Sequence, residues 1–141
     1  MTRAAAAPAA AALDPQQHYV RLAADGSTRV LQVGEAFWRL PAAALDSIGE
    51  SWVISEFECS EDWPNWEMHP NADEFVYLLS GAAELLLEES GGVRAVPLRG
   101  RAAVVVPRGL WHTAHVSEPS RMLFITLGTG TQHKPAHKLD R

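Results

Sequence analysis

Residues 66–81 read Trp66-Glu67-Met68-His69-Pro70-Asn71-Ala72-Asp73-Glu74-Phe75-Val76-Tyr77-Leu78-Leu79-Ser80-Gly81. In an extended strand, residues two apart share a face, so Glu67 and His69 project together. Residues 70–73 hold Pro-Asn and Asp, which form turns, and Glu74 then opens an apolar run beside His69. Working outward, residues 51–58 (SWVISEFE), 82–89, 93–98, 102–106, 111–116 and 121–127 are further short apolar or alternating runs. Ser80-Gly81 and Gly91-Gly92 mark turns between them, the second being the strongest hairpin signal of the chain. Residues 82–89 (AAELLLEE) contain good helix formers, but their bounding glycines and strand neighbours favour a strand. Strands at spacings of about 8–12 residues read as an all-β sandwich or barrel. Only residues 41–48 (PAAALDSI) look helical.

Composition sets the wider limits. The chain has 141 residues, 47% apolar and 21% charged, with a net charge of −5. That is enough chain for one domain with a real core. The negative balance supplies no basic field for nucleic acid and no polybasic patch for a membrane surface. No apolar run approaches the length of a membrane helix. The single cysteine, Cys59, fits a reducing cytoplasm and reads as a small buried hydrophobe rather than a nucleophile. Three segments are expected: an alanine-rich, disordered leader over residues 1–17, one domain over 18–127, and an arm or tail over 128–141. Pro8 and the weak apolarity of alanine argue against a signal peptide in the leader.

A second segment also carries polar residues that the apolar framework does not explain: Pro107-Arg108-Gly109-Leu110-Trp111-His112. It is a tight turn that delivers a histidine to a strand start. If a barrel brings His112 to His69 and Glu74, the donor set is two histidines and a carboxylate, suited to Fe(II) and similar ions.

These two segments resemble the cupin superfamily. Its first motif reads G-x5-H-x-H-x3,4-E-x6-G and its second G-x5-P-x-G-x2-H-x3-N. Here Glu67-x-His69-x4-Glu74-x6-Gly81 follows the first. Gly100 and Pro107-x-Gly109-x2-His112 follow the second, with one extra residue after Gly100. The resemblance covers about residues 51–127 and implies an antiparallel jelly-roll barrel (a double-stranded β-helix). It also implies a divalent metal on His69, Glu74 and His112, a small-molecule substrate and a homodimer. Three positions depart from the pattern. Glu61 stands at the opening glycine, Glu67 replaces the first histidine, and Val116 replaces the closing asparagine. His115 lies one residue before Val116, and strand parity turns it away from the ligand face.

Glu67 is therefore a candidate fourth ligand, a candidate catalytic base beside the ion, or an interior acceptor for an arginine. As a ligand, it would neutralise a divalent charge with Glu74 and favour Mn(II) or Fe(II), with Zn or Ni as further options. Asp73 ranks below Glu74 because its parity directs it away. Phe57, Tyr77, Met122 and Phe124 are candidates for a pocket wall, whereas Trp66 and Trp111 point the other way. Arg39, Arg99 and Arg101 read as surface residues, and His18, His133 and His137 as solvated terminal histidines. The function expected is that of a metal-dependent, oxygenase-like enzyme on a small organic substrate. An isomerase or lyase, or a non-catalytic ligand-binding or sensory protein, is the alternative.

Overall fold

In a computed structural model, residues 10–34, 41, 43, 44, 48 and 50–137 are described. Nine strands form among them: β1 (His18–Leu22), β2 (Thr28–Gln32), β3 (Trp52–Cys59), β4 (Asn65–Met68), β5 (Glu74–Glu89), β6 (Gly92–Arg99), β7 (Ala103–Val106), β8 (His112–Leu127) and β9 (Gln132–Pro135). Every pairing is antiparallel. The order runs β2-β1-β3-β8-β4-β9, with β5 closing against β8 on one flank and carrying β6 and β7. The all-β expectation holds. Residues 42 and 45–47 of the expected helix at 41–48 lie outside the described residues, as do residues 1–9 of the leader.

Alternation explains where the core sits. Glu74, Val76 and Leu78 of β5 face inward, as do Ala114, Val116, Met122 and Phe124 of β8. All of these but Glu74 form one apolar cluster with Leu85, Leu87, Leu98 and Val106. Each fully buried leucine contributes about 2 kcal/mol by leaving water.

Two long strands replace what the sequence suggested were four shorter ones. Ser80-Gly81 does not reverse the chain; β5 runs through it with shifts of register against β8 between Leu78 and Ala83. Gly81 has φ +96°, and a Cβ there would stand 2.4 Å from the Pro119 carbonyl oxygen. Glycine thus marks a close backbone approach at a bulge rather than a hairpin turn. The Gly91-Gly92 hairpin does form, with Glu89 opposite Gly92.

Beyond residue 127 the chain turns and β9 adds an outer strand to β4, Glu67 lying opposite His133. Lys134 secures this strand, with its ammonium 3.0 Å from Glu88 and 4.5 Å from the centroid of the Trp111 ring. Residues 132–135 of the expected arm thus lie along β4.

Candidate metal centre

Four side chains meet at one end of the barrel. Glu67 lies on β4, His69 just beyond it, and Glu74 and His112 open β5 and β8. Pairing of Glu67 with His112, and of Glu74 with Val106 just before the second segment, brings the two sequence segments together. One donor atom from each of Glu67, His69, Glu74 and His112 lies within 4.8 Å of all the others. The Glu74 oxygens stand 3.1 Å from His112 Nε2 and 3.3 Å from His69 Nε2. A Glu67 oxygen stands 3.5 Å from His69 Nε2 and 3.9 Å from His112 Nε2. His69, Glu74 and His112 are buried; Glu67 is 32% exposed.

The donor set fits a cation. His112 Nδ1 lies 3.1 Å from the Leu110 carbonyl oxygen, which can only accept, so the Nδ1 proton is directed there. On a neutral ring the Nε2 lone pair then faces Glu74, two acceptors with no proton between them. Buried His69 Nε2 makes no hydrogen bond of its own. A cluster of two carboxylates and two inward Nε2 atoms requires positive charge at its centre, supplied by a proton or by a metal ion. Without metal the imidazole of His69 takes that role. Burial would lower its pKa, but Glu67 and Glu74 overcome this and push it up to about 9. Burial likewise opposes ionisation of Glu67, yet His133 and His69 hold its carboxyl down at about 2. Glu74 stays below the usual carboxylate range for the same reason, its partners being His112 and His69.

The cluster is the floor of a cavity of about 500 Å³. Glu67, His69 and Glu74 face it, while fully buried His112 lies behind them. Phe57, Trp63 and Phe124 form an aromatic wall, with ring centroids 5.6 Å apart for Phe57–Phe124 and 5.7 Å for Trp63–Phe124. Such a space holds a small organic molecule on largely apolar walls with few polar groups.

Phe57 and Phe124 line the cavity; Met122 is sealed in the core, and Tyr77 lies beside Phe75 and Arg101 instead. Trp66 and Trp111 stack against Lys134, away from the cluster. Asp73 accepts from the Arg108 backbone, outside the site. His115 pairs with Asp62 at 2.7 Å, while Val116 packs into the core. Cys59 packs partly against the core and lines the cavity, where burial raises its thiol pKa. Arg39 lies outside the described residues, and Arg99 and Arg101 are exposed.

Three polar residues at the site escaped the sequence reading. Thr126 donates a hydrogen bond to Glu74. Thr131 lies 2.8 Å from His69 Nδ1. His133 is 54% exposed, as a terminal histidine was expected to be, yet it also lines the cavity and stands 3.7 Å from a Glu67 oxygen. Parity could have found Thr126, which follows Phe124 by two residues on β8, but nothing local marks Thr131 or His133.

Comparison with known proteins agrees with the fold. Residues 53–127 match the cupin domain, and the chain belongs to that family. Among solved structures it is similar to a cupin-2 domain-containing protein from Shewanella frigidimarina, with 15% identity and a TM-score of 0.46 over 60% of this chain and 71% of that one. It is similar also to Peruvianin-I, a cysteine peptidase from Thevetia peruviana latex, with 13% identity and a TM-score of 0.51 over 61% and 57%. A hydroquinone 1,2-dioxygenase in complex with Cd2+ and 4-hydroxybenzonitrile gives 17% identity and 0.46 over 53% and 56%. The chain thus spans less than two thirds of the last two, and these likenesses concern the fold alone. No curated protein matches the chain.

Proposed function

We propose that this chain is a metal-dependent cupin that holds one divalent ion on His69, Glu74, His112 and Glu67 and acts on a small organic molecule in the adjoining cavity. One observation carries the reading: four donor atoms converge within 4.8 Å, and one of them, buried His69 Nε2, has no hydrogen-bond partner. Two carboxylates with two imidazoles suit Fe(II) or Mn(II), whose charge they balance. When bound, such an ion would supply Lewis acidity and the one-electron chemistry that oxygenases use.

The chain's own groups supply the rest. The aromatic wall excludes water and holds an apolar body against the floor. Glu67 is the one cluster member with substantial exposure, so it can also exchange a proton with a molecule in the cavity. His133, 3.7 Å away, is placed to take up or return that proton.

The test begins with metal analysis of protein purified without chelators. Wild type should carry about one ion per chain and His112→Ala essentially none; equal, substoichiometric content in both would overturn the site. Oxygen consumption with a metabolite panel then separates an oxygenase from a Lewis-acid isomerase or lyase, and turnover of neither kind in a metal-loaded protein would make it a binding or sensory cupin. The reading includes a homodimer. β7 pairs only with β5 among the described residues, and its Val105 is 57% exposed. A monomeric mass at micromolar concentration would remove the dimer.

A further inference from the structure

From the Gly128–Thr131 turn we infer that Thr131 is a positioning residue for the metal centre, fixing the His69 ring so that Nε2 carries its lone pair toward the cluster. The inference rests on the metal-site reading above and adds to it a part of the chain beyond the cupin match, which ends at residue 127.

Thr131 Oγ1 lies 2.6 Å from the Gly128 carbonyl oxygen, which cannot donate, so the hydroxyl proton is committed there. The same oxygen lies 2.8 Å from His69 Nδ1. With its only proton spent on Gly128, the hydroxyl meets Nδ1 as an acceptor, and the ring must place a proton on Nδ1. The neutral ring then presents a bare Nε2 to Glu67 and Glu74, as a metal ligand must. His112 is fixed in the same sense by the Leu110 carbonyl, so both imidazoles are set to one tautomer by different devices.

The turn is built to hold this hydroxyl in place. Asn71 Nδ2 donates to the Thr129 carbonyl at 2.7 Å, and Thr131 N donates to Gly128 O at 3.0 Å. Gly130 has φ +76°, and a Cβ there would stand 3.2 Å from Pro70 Cγ and 3.3 Å from Asn71 Nδ2. The turn therefore rests directly on the residues that follow His69. Beyond it, β9 ties the arm to β4.

The experiment compares Thr131→Val, which keeps the shape and removes the hydroxyl, with Thr131→Ser, which keeps the hydroxyl. Zn(II) affinity is measured in the full chain by competition with a chelating dye. Thr131→Val should weaken Zn(II) about 10-fold or more, whereas Thr131→Ser should stay within about 3-fold of wild type. Long-range 1H–15N spectra of the imidazoles give a second readout. In chelator-treated protein at alkaline pH, where the ring is neutral, His69 should be the Nδ1–H tautomer in wild type and Thr131→Ser, and should shift toward Nε2–H in Thr131→Val. An unchanged tautomer in Thr131→Val overturns the inference, as does equal loss of affinity in both variants. If wild type binds no divalent ion, the proposed function fails, and the metal-free tautomer still decides the role of Thr131.

Discussion

Two carboxylates of this molecule are equally hidden, Glu56 and Glu74 each being 4% exposed, yet their surroundings differ in kind. Glu56 on β3 receives Arg121 at 2.9 and 3.2 Å and Gln16 at 2.7 Å. A guanidinium is always charged and presents only donors, so this carboxylate is complete. Glu74 faces two histidine Nε2 atoms, a second carboxylate and one hydroxyl. Those imidazoles can serve as acceptors or ligands, and nothing permanently cationic stands among them. A buried carboxylate by itself therefore does not signal a site. What separates the two is that Glu56 has a fixed positive partner, whereas Glu74 has only imidazoles in that role, whose charge comes and goes with a proton.

The sharpest way to break this contrast is to neutralise each carboxylate without changing its shape. Glu74→Gln should lower metal affinity by about 100-fold or more, since loss of a ligand exceeds the 10–100-fold typical of outer partners. Glu56→Gln should leave metal content at the wild-type value. Metal analysis of both proteins in parallel decides it, and equal retention would mean that the cluster is a scaffold only.

Glu67 sharpens the comparison because it is intermediate. Its carboxylate is farther from both histidines than Glu74 and is partly open to the cavity. Glu67→Gln should weaken Mn(II) about 10-fold, less than Glu74→Gln, if it is a ligand on the open side. An unchanged Mn(II) affinity with a lost reaction would make it a proton carrier alone.

Much of this was readable before the fold was known, for a specific reason. Parity and turn chemistry place Glu67, His69 and Glu74 within one strand–turn–strand, and His112 begins a strand after its own turn. The long strands were misread because Gly81 has the composition of a turn while the Pro119–Ser120 backbone needs it in a bulge. Thr131 and His133 were missed because only the β4–β9 register brings them back, across 62 residues in the case of Thr131 and His69. Nothing local to residues 128–137 signals that pairing. The Glu56–Arg121 pair is likewise a cross-strand contact, set by a register that the sequence does not print.

That pair gives a smaller effect. Arg121→Ala should lower the melting temperature by several degrees, because it leaves a buried carboxylate with only Gln16, while metal content stays unchanged. The guanidinium is half in water, so the loss stays below that of a fully buried pair. A thermal melt with metal analysis on the same sample tests both halves, and a fall in metal content would tie the two regions together.

The smallest effect is one proton. In metal-free protein the imidazole of His69 is raised from 6.5 to about 9, so its contribution to stability is complete below pH 6.5 and disappears as pH rises through 9. The carboxyl of Glu67 is lowered from 4.5 to about 2, so its contribution is present above pH 4.5 and is lost as pH falls toward 2. Together these two groups give the metal-free protein its greatest support between about pH 4.5 and 6.5. A metal ion must displace the His69 proton, so at pH 7 binding should release about one proton per ion and affinity should rise with pH up to about 9. Calorimetry in two buffers of different ionisation enthalpy counts that proton. Glu56→Gln should release the same number, because its region keeps its cation whether or not metal is present. A count of zero in wild type would show that the cluster does not hold a proton where the ion should go.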